Sequence, residues 1–319
     1  MSDIEELTFR PGRPDDLPEV TRLCSGTWDW GDYIPDVWEY WLADDGHVAV
    51  AELDGRLVAL GRVVVQPRGQ AWLEGMRVDP EYRRRGIAWR FTEYKLAYAR
   101  AHGARVARLS TADSNEPVHR MMERLGMARV GRYEMLTADA QPGDGALHTL
   151  SPDDAGAVAA FLQQSPVLAA ARGLYSLDWA WQELSPERTV ELLAAGHVVG
   201  RWGADGNLAA LAVLEREPED GRLWVGFADA GPASWTQAGP APATQAGPVL
   251  DAQAKAFQAL AHDLRDLAAR WQVERVSAML PALPALRDAF RAAGYGQVDW
   301  HGELWIYELP LEEAAGRDG

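Results

Sequence analysis

Hydrophobic and polar positions alternate with period two over several short stretches of this chain and recur with a helical period over others. Leu7-Thr8-Phe9-Arg10 reads as a strand, and Arg13-Pro14-Asp15-Asp16 as a helix start whose acids suit the positive helix N-terminus. A second helix is predicted from Pro35 to Leu42. His47–Leu53 and Arg56–Val65 alternate on either side of Asp54-Gly55, the strongest short hairpin signal in the chain. Trp72–Val78 is a further strand, stopped by Asp79-Pro80. An amphipathic helix follows from Trp89 to His102, closed by Gly103. Arg105–Ser110, Glu116–Leu125 and Ala128–Leu136 read as strand, helix and last strand of this half.

After the linker Gln141-Pro142-Gly143-Asp144-Gly145 the same order recurs. Ser151-Pro152-Asp153-Asp154 echoes the first helix start, and His197–Trp202 and Leu208–Glu215 form a hairpin. Arg222–Phe227, Asp251–Trp271, Val273–Met279, Leu283–Ala293 and Leu304–Leu309 then repeat strand, helix, strand, helix and closing strand. Leu125-Gly126-Met127 matches Ala293-Gly294-Tyr295 in place. The pattern predicts an α/β (α+β) fold written twice, divided as 1–142 and 143–319. Asp229–Val249, rich in Ala, Pro and Gly, interrupts the second copy and carries Thr236-Gln237-Ala238-Gly239-Pro240 again as residues 244–248. Its composition predicts a mobile insertion.

Composition narrows the function classes. The chain has 319 residues, of which 47% are hydrophobic and 24% charged, the profile of a folded soluble protein. Its formal net charge of -16 repels phosphate backbones and anionic lipid, which disfavours general nucleic-acid or membrane-surface binding. Cys24 is the only cysteine, so no intrachain disulfide or cysteine zinc site forms, and no metal is expected. The acidic Met1–Glu6 start lacks the apolar core of a signal peptide, and no apolar run approaches the ~18–20 residues of a membrane span. The expectation is a cytoplasmic monomer or homodimer.

One stretch breaks the acidic trend. Arg83, Arg84, Arg85 and Arg90 cluster around Gly86-Ile87-Ala88 between a strand and a helix. Backbone N–H groups at a helix N-terminus lack intrahelical partners, and Gly86 and Ala88 let a ligand approach the backbone closely. Amides, helix dipole and arginines together make a phosphate or pyrophosphate site; a solvated basic turn is the plainer alternative.

Arg83-x-x-Gly86-x-Ala88, led in by Val78-Asp79-Pro80-Glu81-Tyr82, resembles the acetyl-CoA signature of the GCN5-related N-acetyltransferase (GNAT) family. Downstream, Asn115 and the helix ending in Leu125-Gly126-Met127 resemble that family's next hallmark. The resemblance implies a mixed, mostly antiparallel sheet flanked by helices in each of two tandem domains, a layout similar to mycothiol synthase. It implies that Arg83, Arg84, Arg85, Gly86, Ile87, Ala88 and Trp89 hold the CoA pyrophosphate. Met76, Arg77 and Val78 pair with the pantetheine arm, an amide on that strand polarises the thioester carbonyl, and Asn115 hydrogen-bonds the pantetheine. The second copy has no arginine turn between Phe227 and Asp251 and is expected to be degenerate.

The implied reaction is direct acetyl transfer from acetyl-CoA to a primary amine of a small molecule or peptide. Glu74, at even spacing from Met76 and Val78 and so expected on their face, is the candidate general base; a rim salt bridge is its alternative role. The helical position seven residues beyond Asn115, where many family members carry a tyrosine acid, is Met122, which cannot donate a proton. His119, expected on the helix surface, or Tyr133 stands as a substitute; Cys24 is expected to lie remote. Trp28, Trp30, Trp38 and Trp41, with Asp29, Asp32, Asp36 and Glu39, form either an aromatic, acidic acceptor cleft or core packing; Trp179 and Trp181 hold the matching place in the second copy. A non-catalytic acyl-CoA sensor or scaffold is the alternative function.

Overall fold

The structure, a computed structural model, describes residues 6–29, 31–177, 179–217, 221–231, 246–298 and 302–311. In chain order the elements are β1 Thr8–Pro11, α1 Leu17–Cys24, α2 Ile34–Ala43, β2 His47–Leu53, β3 Arg56–Gln66, β4 Gln70–Val78, α3 Ile87–Ala101, β5 Val106–Ala112 and α4 Glu116–Arg124. Then come β6 Ala128–Asp139, β7 His148–Thr149, α5 Ala155–Gln163, α6 Pro166–Ala170, β8 Leu174–Leu177, β9 Ala180–Glu183, α7 Pro186–Ala194, β10 Val198–Trp202 and β11 Leu208–Glu217. The last are β12 Arg222–Asp229, α8 Ala246–Arg270, β13 Arg275–Pro281, α9 Pro284–Ala292, β14 Gly296–Gln297 and β15 Glu303–Pro310.

These elements fall into two units. Unit 1 comprises Met1–Ser110, Pro117–Ala128 and Tyr307–Gly319; unit 2 comprises Thr111–Glu116 and Arg129–Ile306. Within unit 1 the strand order is β1-β2-β3-β4-β5, then the Tyr307–Pro310 part of β15. All pairs among β1 to β5 are antiparallel except β4 with β5. Within unit 2 the order is β7-β10-β11-β12-β13-β6, antiparallel except β12 with β13. Both orders place one parallel pair at the same step, so the repeat read in the sequence is a repeat of topology.

Local chemistry repeats too. The backbone N–H of Arg13 donates to Asp16 Oδ2 at 2.8 Å, and that of Ser151 to Asp154 Oδ2 at 2.8 Å, so the two helix starts close alike. Asp54 and Gly55 both take positive φ (52° and 73°), the backbone of a tight hairpin turn.

One assignment is corrected. Ala128–Leu136 was expected to close the first copy's sheet and Leu304–Leu309 the second's, whereas β6 pairs with β13 and Tyr307–Pro310 groups with unit 1. Leu311 donates its N–H to the Arg105 carbonyl at 2.7 Å, and Arg108 Nε meets Glu308 Oε2 at 2.7 Å. The two closing strands are exchanged between copies. Local alternation is the same for either pairing, so periodicity cannot register the exchange.

The apolar face of unit 1's sheet is covered on both sides. Val20, Leu23, Trp38, Trp41 and Leu60 form a cluster with α1 and α2, and Ala49, Ala51, Ala59, Ile87 and Phe91 form one under α3. In unit 2 Phe161, Val213, Phe227, Phe257, Leu264 and Phe290 belong to one larger core. Trp179 and Trp181 lie in or beside the β8–β9 hairpin rather than in a helix. Among the described residues no helix is long and apolar enough to cross a membrane. The Asp229–Val249 insertion falls largely outside the described residues.

Candidate functional site

Strand β4 runs into the basic turn through Asp79, whose buried carboxylate organises both sides. Arg22 Nη1 donates to Oδ2 at 2.7 Å, and the Glu81 N–H donates to Oδ1 at 3.0 Å. Burial alone would raise this carboxyl, but those two bonds and the charges of Arg22 and Arg56 outweigh it and hold Asp79 below its usual range. Beyond it Arg83, Arg84, Arg85 and Gly86 are all exposed, while Ile87 is buried under the sheet. Arg84 (φ 63°) and Gly86 (φ 82°) are both left-handed, which reverses the chain into α3. A Cβ added at Gly86 would meet nothing within 4 Å, and no side chain caps the helix. Arg83 Nε donates to the Val78 carbonyl at 3.2 Å, and Arg85 lies 5.0 Å from the Tyr82 ring centroid. The first-turn amides of Ile87, Ala88 and Trp89 therefore begin a 15-residue helix beside three exposed guanidiniums.

The pairing of β3 with β4 is broken by a bulge. Leu60 faces Arg77 and Arg62 faces Glu74, so Gly75 and Met76 together oppose Gly61. Gly75 takes φ 65°, and a Cβ there would lie 2.5 Å from the Trp41 ring. This corrects the expected face of Glu74. Met76 and Val78 pack on the Ile87–Phe91 cluster under α3, while Glu74 shares the opposite face with Arg62 and Arg77. One extra residue shifts the alternation by one, and that moves Glu74 across the sheet.

On that face Arg62 bonds both Asp44 and Glu74, the latter at 2.7 Å to Oε1, and its guanidinium lies 5.2 Å from the Trp41 ring. Arg77 donates to both oxygens of Asp32, at 2.6 and 3.1 Å, and sits between the rings of Trp28 (4.8 Å) and Tyr33 (5.7 Å). Trp38 and Trp41 are buried, which makes them packing; Asp29, Asp36 and Glu39 are exposed. Trp30 lies outside the described residues. Cys24 is not remote: burial, then the charge and hydrogen bond of Asp32, push its thiol up to about 12. Its 1% exposure removes it from nucleophilic chemistry.

Other expected residues separate. Asn115, half-buried, lies in the β5–α4 turn that groups with unit 2. Met122 is buried. His119 is 2% exposed rather than on the surface, because its ring nitrogen Nδ1 bonds the hydroxyl of fully buried Tyr307 at 2.8 Å. Tyr133 belongs to unit 2, where its hydroxyl donates to the Leu174 carbonyl at 3.2 Å. No cluster of three or more His, Cys, Asp or Glu suited to a metal occurs among the described residues.

Sequence reasoning missed Tyr307 and Lys95. Tyr307 is 188 positions from its partner, and no local signal joins them. Lys95 did carry a signal: Phe91, Lys95 and Ala99 are spaced by four on the face that α3 buries.

Comparison with known proteins bears on the fold. Residues 15–127 match the family model described as Acetyltransferase (GNAT) family. No curated protein matches the chain. Over its length the chain is similar to a GCN5-related N-acetyltransferase from Sphaerobacter thermophilus, at 16% identity and TM-score 0.59, covering 97% of this chain and 96% of that one. It is similar to a tandem GNAT protein from the clavulanic acid biosynthesis pathway, at 15% identity and TM-score 0.50, covering 95% and 98%. A GCN5-related glucosamine N-acetyltransferase region of a fungal multi-domain GH3 beta-N-acetylglucosaminidase also matches, at 14% identity and TM-score 0.59, covering 97% of this chain and 38% of that one. These likenesses establish the fold.

Proposed function

Residues 15–127 belong to the acetyltransferase (GNAT) family and the chain has the fold of tandem GNAT proteins; from that premise we propose that unit 1 transfers an acetyl group from acetyl-CoA to a primary amine. The observation that carries the proposal is the exposed Arg83–Gly86 turn at the uncapped start of α3, with open space over Gly86. Its amides and guanidiniums suit a pyrophosphate. The strand before it, Met76 to Val78, starts within the bulge and would run along the pantetheine arm. Asn115 is proposed as a further pantetheine contact.

In the transfer the amine nitrogen bonds the thioester carbonyl carbon, the C–S bond breaks, and the sulfur leaves with the electron pair. The proton lost by the amine balances the one gained by the thiolate, so the products are an amide and free CoA thiol. Glu74 is proposed to receive the amine proton, directly or through water, from its place against Arg62. No covalent enzyme intermediate is needed, and buried Cys24 offers none. The acceptor is proposed to be a small-molecule or peptide amine in the cytoplasm; the charge of -16 favours a cationic acceptor over a nucleic acid. The second copy, which the structure gathers as unit 2, is proposed to be degenerate.

Calorimetry with acetyl-CoA tests the reading. Binding to the wild type, reduced about a hundredfold or more by Gly86→Glu, is expected; no binding, or binding indifferent to the substitution, overturns it. A second reading, an acyl-CoA-binding sensor or scaffold, is favoured by buried Met122 where a proton donor was expected. Release of free thiol with a panel of amines, lost in Glu74→Gln, rejects the sensor.

A further inference from the structure

Lys95 is one of two lysines in a chain that otherwise uses arginine for its cations. It is 2% exposed, on the sheet side of α3, and its Nζ lies 5.5 Å from the Phe91 ring centroid. A Cβ added to Gly61 would sit 3.1 Å from Nζ and 3.4 Å from the Glu74 carbonyl oxygen. The ammonium therefore occupies space that exists because residue 61 is glycine, beneath the β4 bulge. Its contact among the described residues is the face of the Phe91 ring. The charge that acts on it is that of Glu74 on β4, which is directed to the opposite face; on its own helix the neighbouring Tyr94 bonds His47 of β2. Burial, only partly offset by the charge of Glu74, pulls its ammonium down to about 8.

A cation on a side chain only 2% exposed, with a ring face and a distant carboxylate in place of an ion pair, costs stability that a methionine of similar length would not. Such a cost is concentrated where function uses it. We propose that Lys95 is a positioning residue for the transfer: its ammonium, held under the bulge on the face of Met76 and Val78, favours negative charge on the reacting carbonyl oxygen and disfavours a protonated acceptor amine. The inference rests on the acetyl-transfer reading of the same strand. Arginine would bring a larger, always-charged guanidinium into the space beside Gly61, whereas a desolvated lysine can change its charge closer to neutral pH.

Initial rates of thiol release are measured against pH at saturating acetyl-CoA for the wild type, Lys95→Met and Lys95→Arg. The wild-type rate is expected to fall as pH rises through about 8, where Lys95 loses its charge. Lys95→Met is expected to lower kcat about tenfold or more, leave KM for acetyl-CoA unchanged and abolish the alkaline fall. Lys95→Arg, which stays charged throughout the range, recovers part of the rate and shows no alkaline fall from this position. Thermal melting controls for folding, and Lys95→Met melts at or above the wild-type temperature.

A measurement independent of turnover uses the scarcity of lysine. In wild-type protein carrying 13Cε-lysine, the Lys95 resonance titrates near 8 and shifts when acetyl-CoA is added. Unchanged kcat and pH profile in Lys95→Met, or a Lys95 resonance indifferent to bound acetyl-CoA, overturns the role of Lys95. A wild type that binds no acetyl-CoA overturns the transfer reading itself, and Lys95 with it.

Discussion

In unit 1, β4 leads directly into buried Asp79, which an arginine holds from α1 and which orders a turn of exposed guanidiniums. In unit 2, β12 ends in Asp229, fully buried, which accepts from Ser165 Oγ and from the Gly231 N–H at 3.0 Å. Both strands also carry a glycine bulge before that acid. Gly75 and Met76 oppose Gly61 in unit 1, and Gly226 is the extra residue between Phe227 and Val225 in unit 2. The surroundings differ. A Cβ at Gly75 would press on an aromatic ring, whereas one at Gly226 would lie 1.5 Å from the backbone oxygen of Ser176 in β8. The repeat kept the backbone device in both copies, and in the second the β8 backbone fills the place beside it. A ligand can compete with a side chain far more readily than with a hydrogen-bonded strand.

Substitutions break this comparison in order of size. Tyr307→Ala removes a fully buried ring and the hydroxyl that bonds His119, so a loss of about 3–5 kcal/mol in unfolding free energy is expected by denaturant titration. That loss should appear in unit 1, although the residue is near the end of the chain; a loss confined to unit 2 would contradict the strand exchange. Gly226→Ala requires the Ser176 backbone to move, and a cost of roughly 3 kcal/mol is expected, with acetyl-CoA affinity in calorimetry unchanged. Reduced affinity there would mean that the second copy contributes to the ligand site.

Asp79→Asn has a smaller effect, about 1–2 kcal/mol, and a pH signature. The folded carboxyl sits below its ordinary value of 3.8, so the folded state binds fewer protons than the unfolded one in that range. Its stabilisation is complete above about pH 5 and disappears as pH falls through 3.8 toward the lowered value. The Asn variant should lose that part of the acid dependence in melts between about pH 3 and 6; an unchanged slope would show that Arg22 and Asp79 do not act as a pair. Smallest of all, Cys24 in native protein should resist thiol reagents at pH 8 and react only on unfolding. Prompt reaction would show that the Asp32–Arg77 cluster opens.

How much of this was legible depends on distance along the chain. The Asp54-Gly55 hairpin, the Arg83–Ala88 turn between strand and helix, and the matching Gly126 and Gly294 were readable because each is decided by a few neighbouring residues. The face of Glu74 was not, because one bulge residue inverts a period-two argument and nothing local announces it. His119 looked like a surface residue until a tyrosine 188 positions away was placed against it. Arg77 looked like a strand residue beside a ligand, and its side chain proves to be clamped by Asp32 between two rings.

The sequence by itself determined that the chain is two copies of one α/β pattern and that one of them carries a basic, glycine-containing turn at a helix start. Periodicity, turn chemistry and charge are short-range properties, and they survive in the order of residues. Only the tertiary structure decided which strand closes which sheet, which face of β4 each side chain occupies, and where the buried ammonium of Lys95 rests. Those depend on pairing register and on burial, which are set by partners far away in the chain.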